Sequence, residues 1–224
     1  MRFLPVHQLS DLEGLIRYTG FLPLFRCSIP GFSVEENCAS SVWFSDGVEG
    51  PWDWRGQIAR KNEILYGKFA ENKAVFVHRD WFPALCNYRR DGYDFDTLYE
   101  LGMAGRRECA AMRALSGHAS LLSGELSRAA SVGKGGYKGF DAVMVHLQMQ
   151  TYACIQGFEQ KRNRQGQPYG FETTRYTTPE RILGVEAIEA AYAEAPQESL
   201  RRMVTHLRGI LPDVAAARIE AWLK

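Results

Sequence analysis

A chain of 224 residues with 46% hydrophobic and 24% charged side chains can bury a substantial core and is too apolar for disorder. Its net charge of +1 excludes a globally basic or acidic protein, so any affinity for phosphate must come from local clustering. Five cysteines, an odd number with no Cys-x-x-Cys pair, argue against a disulfide framework and for a reduced cytoplasm.

The amino terminus lacks the uninterrupted apolar core of a secretion signal, and no window approaches the ~20 apolar residues of a membrane span. In chain order, Val6, Leu9, Leu12 and Ile16 share one helical face and predict a helix over residues 6–18, stopped by Gly20 and Pro23. Residues 21–50 are short apolar pieces cut by Pro30, Gly31, Gly47 and Gly50, which predict irregular structure with a strand near Ser41 to Phe44. Trp52, Trp54 and Arg55 then stand almost together. A surface of that composition stacks on bases and contacts phosphate, whereas tryptophans in a core or interface need only a partner for the indole N–H. Residues 63–69 and 73–77 predict a hairpin across a polar turn, and residues 79–88 a short helix. Asp91, Asp94 and Asp96 follow, either as a loop that caps the next helix or as a general base or hard-cation site.

The second half reads as a winged helix-turn-helix. Residues 104–115 and 123–130 predict two helices. A glycine-rich turn with Lys134 and Lys138 leads to a third, in which Phe140, Val143, Met144 and Leu147 form the buried stripe. The opposite face carries Lys138, Ala142, Val145, His146 and Met149. Strands over 151–159 and 170–177 flank a tip containing Lys161, Arg162 and Arg164. Residues 131–176 hold six basic against three acidic side chains, a modest footprint for phosphate. The basic residues would grip phosphates, with His146, Gln148 and Gln150 at or beside the surface facing the groove. A hairpin used only for packing or dimerisation is the bland alternative. Thr178-Pro-Glu180, Pro196 and Pro212 start tail helices expected to cover this unit or to mediate self-association. The expectation is an α+β chain with an amino-terminal hairpin region (1–92), a winged helix (93–178) and a helical extension (179–224).

Three stretches then bring a family to mind. Residues 66–83, with an aromatic hairpin leading into a helix start, resemble the YcaQ and AlkZ group of winged-helix DNA glycosylases, and residues 117–126 with 139–148 resemble that group's downstream winged helix. Together with WFSDGVEGPWDW and NYRRDGYDFD, the pattern is most similar to the smaller AlkZ-related proteins, without the group's earlier catalytic winged helix. The resemblance implies contact with duplex DNA and, for the glycosylases, cleavage of the N-glycosidic bond of alkylated bases. It also implies interest in Gln148-Met-Gln150, since those enzymes use a Gln-x-Gln or Gln-x-Asp motif, in their earlier winged helix, to position the attacking water. On a helix, however, positions i and i+2 lie ~200° apart and cannot share one water, and they share a face only where the backbone becomes extended. A helix end with solvated or groove-contacting glutamines is the other reading.

The five histidines are scattered without metal-ligand spacing, and no phosphate-loop or dinucleotide fingerprint is present, so no metal and no cofactor is expected. Three functions remain open at this level: a DNA-binding relative of the glycosylases, a non-catalytic transcription regulator, and a protein-interaction module that has lost DNA contact.

Overall fold

Helix α1 (Leu9–Thr19) buries Leu12 and Ile16 as its apolar spacing predicts, and ends at Gly20, whose φ of 73° turns the chain into β1 (Phe21–Pro23). The structure is a computed structural model that describes residues 3–130, 139–163 and 165–224. Helix α2 (Val34–Asn37) is capped by Ser33, whose hydroxyl accepts from the Glu36 N–H. The strand expected at residues 41–44 does not form. Phe44 has a φ of 51°, outside the extended region, and the segment runs as turns. Helix α3 (Pro51–Ala59) places proline in its first turn and uses Asp53 to accept from the Gly50 N–H.

Strands β2 (Ile64–Ala70) and β3 (Lys73–His78) form the expected hairpin, closed by Glu71 and Asn72 at φ 50° and 57°. Two successive positive φ values match the right-handed twist of the flanking strands. Glu71 also accepts from the Ser28 N–H, which ties the turn to the loop after β1. Helix α4 (Phe82–Arg90) stops at Asp91 in the left-handed region, and α5 (Phe95–Glu100) is capped by Asp94, which accepts from the Thr97 N–H at 2.7 Å. Of the two roles open to this aspartate loop, capping is thus visible at Asp94.

Helix α6 (Arg106–Ser116), the two-residue β4 (Leu121–Leu122), α7 (Ser123–Ala129) and α8 (Phe140–Met149) follow, then the long strands β5 (Cys154–Arg162) and β6 (Pro168–Thr177). The tail is α9 (Pro179–Leu183), α10 (Val185–Glu189), α11 (Pro196–Ile210) and α12 (Ala216–Leu223). Among the described residues the strands make one antiparallel sheet of six in the order β1-β3-β2-β5-β6-β4. Its halves meet at Tyr66 opposite Ile155, so strands from both sides of residue 92 share the sheet.

Of the tail helices, α9 lies against the helical unit formed by α6, α7 and α8, with Arg181 donating to the Ser116 carbonyl of α6, while α11 and α12 pack on the amino-terminal half. Helix α11 packs along α4, His206 stacks on Trp81 with ring centroids 4.2 Å apart, and Trp222 meets Phe21 and Phe32 edge-on. The physical reason is the apolar stripe Met203, Leu207 and Ile210, which finds its complement on the amino-terminal half. Asn87 of α4 adds polar register by donating to the Ser199 hydroxyl and the Glu194 carbonyl.

Candidate nucleic-acid interface

Helix α8 buries Phe140, Met144 and Leu147 and exposes Ala142 and His146 of the face its spacing predicts, together with Asp141, while Val145 and Met149 of that face are half-buried. Among the described residues that exposed face carries no lysine or arginine. His146 is paired through Nδ1 with Glu108 of α6, and the same glutamate accepts from the Gly105 N–H to cap α6. Lys134, Lys138 and Arg164 lie outside the described residues. Lys161 and Arg162 belong to β5, opposite Tyr169 and Pro168, with their side chains outside the description.

The β5–β6 hairpin returns to the helices through β4, where Leu121 pairs with Tyr176 and Leu122 with Arg175. Arg175 bridges Glu159 across the hairpin through Nε at 2.6 Å and also reaches the Ser120 hydroxyl. Toward the tip, Phe171 and Tyr169 are exposed.

Gln148 does not face a groove. It is 1% exposed, its Oε1 accepts from the Lys68 N–H of β2 at 3.0 Å, and its Nε2 donates to the Met144 carbonyl at 2.8 Å. The amide strap lies where β2 is irregular, between Gly67 and Ala70, and takes up a strand N–H. Gln150 is half-buried one step past the end of α8. Thr151 then takes φ 65°, and the Thr151 and Tyr152 N–H groups donate back to the Gln148 and Leu147 carbonyls. This is a Schellman closure with a β-branched residue where glycine is usual.

Two adjacent arginines of α4 hold that closure. Arg90, 4% exposed, donates to the Thr151 hydroxyl and carbonyl and pairs with Glu180 at 2.5 Å. Arg89 donates to the Met149 carbonyl at the end of α8 and the Leu223 carbonyl at the end of α12, where two helix dipoles present negative charge. Burial pushes the Arg89 guanidinium down to about 10, which keeps it charged at neutral pH.

Trp52, Trp54 and Arg55 divide between core and surface. Trp54 is buried. Arg55 is buried too, with its guanidinium 3.7 Å from the Trp52 ring centre and 4.1 Å from that of Phe158, and it pairs with Glu172 of β6 at 2.9 Å. Burial lowers its pKa and Glu172 opposes the shift. Neither Trp54 nor Arg55 is therefore open to a base. Trp52 keeps 42% of its surface and touches the exposed Phe44 at 6.0 Å between ring centroids.

A cleft of about 850 Å³ lies among α4, α5, α6, α9 and α10. Its lining includes the Arg90–Glu180 pair, Asp94 and Asp96 of α5, Arg113 of α6, and Arg181 and Glu189 of the tail.

A family model described as AlkZ related matches residues 6–224. The chain belongs to the AlkZ-related family. Comparison with curated proteins gave no match, and comparison with solved structures gave none either.

In this AlkZ-related chain the cleft is what sequence reasoning missed. Its residues are scattered along the chain from Arg90 to Tyr192, and of them only Asp94 and Asp96 carried a sequence signal for chemistry, as a general base or hard-cation site. Glu180 was read as first-turn acid of α9 and proves to be the partner of a buried arginine 90 positions earlier. Among the described residues no cluster of three or more His, Cys, Asp or Glu side chains could hold a metal, and no helix is long and apolar enough to cross a membrane.

Proposed function

We propose that this AlkZ-related chain is a winged-helix protein that binds duplex DNA, with α6, α7 and α8 as its three helices and the β5–β6 hairpin as its wing. The observation that carries the reading is the pairing of β4 with β6. A short strand between the first two helices, returned against the outer hairpin strand, gives the order helix, strand, helix, helix, hairpin. Family membership supports it, since AlkZ-type proteins are alkylation-repair glycosylases. Five free cysteines suit a reducing cytoplasm.

Phosphate contact falls to the tip residues Lys161, Arg162 and Arg164 and to Lys134 and Lys138 before α8. Helix α8 itself offers Asp141 and an acid-paired His146, so its contribution is shape and apolar contact rather than charge. Base excision is left open as the second reading, with no step assigned to Gln148, whose amide already serves two main-chain groups.

Replacing Arg162 and Arg164 by alanine lowers affinity for duplexes of any sequence and reduces the slope of log K against log salt by about two, one per phosphate lost. An unchanged slope in a salt titration removes the wing from the interface. Incubation with a duplex carrying an alkylated purine, followed by alkali, separates the two readings: breaks confined to the lesion mean a glycosylase, and binding without breaks means a DNA-binding relative.

A further inference from the structure

We infer that the cleft among α5, α6, α9 and α10 binds a purine nucleotide, with guanine-type N–H donors on its carboxylates and the phosphate on its arginines. The inference is independent of the wing and does not rest on the DNA-binding reading.

Size comes first. About 850 Å³ falls within the roughly 300–1,000 Å³ of small-molecule sites. The floor is fixed in place: Arg90 is held by Thr151, Glu180 and the Tyr192 hydroxyl, at 3.3 Å for the last, so it cannot swing out to neutralise an incoming anion. Glu180 gives Oε1 to Arg90 and leaves Oε2 for a ligand.

Charge then selects the ligand class. Asp96 and Glu189 line the cleft without an ion pair or hydrogen bond among the described residues, and Arg113 and Arg181 line it without a carboxylate partner. Arg181 donates from Nη2 to the Ser116 carbonyl at 2.7 Å, which orients its fork while leaving other N–H groups free. Opposite charges that share a cleft yet stay unpaired match a ligand that carries both donors and an anion. An ionised carboxylate accepts two parallel N–H bonds, and the N1–H and N2–H edge of guanine supplies that pair. Phosphate suits the planar arginine fork. The exposed Val185 and the half-buried Tyr192 supply apolar wall for the base plane.

The same chemistry could reach the cleft as a free nucleotide or as a terminal nucleotide of a strand. Calorimetric titration at low salt with GMP, IMP, guanosine and a single strand ending in 5′-phosphorylated guanosine separates these. GMP is expected to bind, and Asp96→Asn to weaken GMP by about tenfold while changing IMP, which lacks the 2-amino group, much less. Arg113→Ala and Arg181→Ala should each weaken GMP but not guanosine, and Arg181→Lys should restore part of the loss. A strand that binds as GMP does assigns the site to strand ends, whereas a strand that fails assigns it to free nucleotide. All three positions are exposed, and circular dichroism checks the fold of each variant. No GMP binding at millimolar concentration, or equal losses for GMP and guanosine, overturns the proposal. Loss of GMP binding in the Arg162→Ala, Arg164→Ala variant also overturns it, because that would place the nucleotide on the wing; retained GMP binding with lost duplex binding leaves the two sites separate.

Discussion

Gln148 carries a polar amide into the contact between α8 and β2, where Lys68 has an N–H that the irregular ladder leaves over. The family resemblance implied a water-positioning pair for Gln148 and Gln150 and helix geometry a solvated or groove-contacting helix end, because nothing near Gln148 in sequence announces a strand N–H 80 positions away. Burial distinguishes the two glutamines. Gln148→Met keeps the volume but orphans the Lys68 N–H, and should cost about 1–3 kcal/mol in urea unfolding. Gln150→Ala, at a half-buried helix end with no side-chain hydrogen bond among the described residues, should stay within about 0.5 kcal/mol. Equal costs for both would mean that the amide strap contributes nothing to stability. The adjacent arginines of α4 show the same kind of long-range pairing: Arg89 and Arg90 each close helix or turn carbonyls inside the molecule.

Elements that announce themselves by period or by punctuation lie where the sequence puts them: α1, the β2–β3 hairpin, α8, the β5–β6 hairpin and the proline-started α9 and α11. Those it hides have physical reasons. Strand β1 is three residues long and ends in proline, too short to alternate, and it exists because Phe21 and Leu22 pair with Val77 and Phe76. Helix α3 buries Arg55 between two aromatic rings, so a charge occupies its inner face and spoils the apolar stripe. The docking of α11 was hidden as well, since it depends on Gly20. A Cβ there would stand 2.5 Å from Trp81 Cδ1 and 3.1 Å from His206 Nε2, so the glycine makes room for the Trp81–His206 stack. Burial lowers the pKa of His206, while its contact with the Thr19 carbonyl opposes the shift. With the folded value below the ordinary 6.5, the unfolded chain takes up the proton first as pH falls. Stability contributed by neutral His206 is therefore complete above about pH 6.5 and is lost as pH drops through the folded value. Urea midpoints should decline from pH 7 toward pH 5, and His206→Gln should flatten that decline. A decline of equal slope in the variant would assign it to other groups.

At the scale of the whole molecule, the sequence suggested three consecutive units, and the strands and tail tie them together. The sheet passes from β2 to β5 at Tyr66 and Ile155, while α12 brings Trp222 back against Phe21 and Phe32. Arg89 joins both ends of this arrangement by donating to carbonyls of α8 and α12 at once. The α11–α12 part of the tail therefore packs into the amino-terminal core. Trp222 is 3% exposed, and truncating so large a buried ring costs about 3–5 kcal/mol through lost burial and the cavity left behind. If the tail were a separate unit, Trp222→Ala would melt it alone and leave the remainder with its original midpoint. The shared core predicts a different result: one cooperative transition shifted as a whole, and faster exchange of the amides of β1 and β3 as well as those of α12. Hydrogen exchange read strand by strand decides between them. Unprotected α12 amides with unchanged protection in β1 and β3 would return the tail to the status of an independent extension.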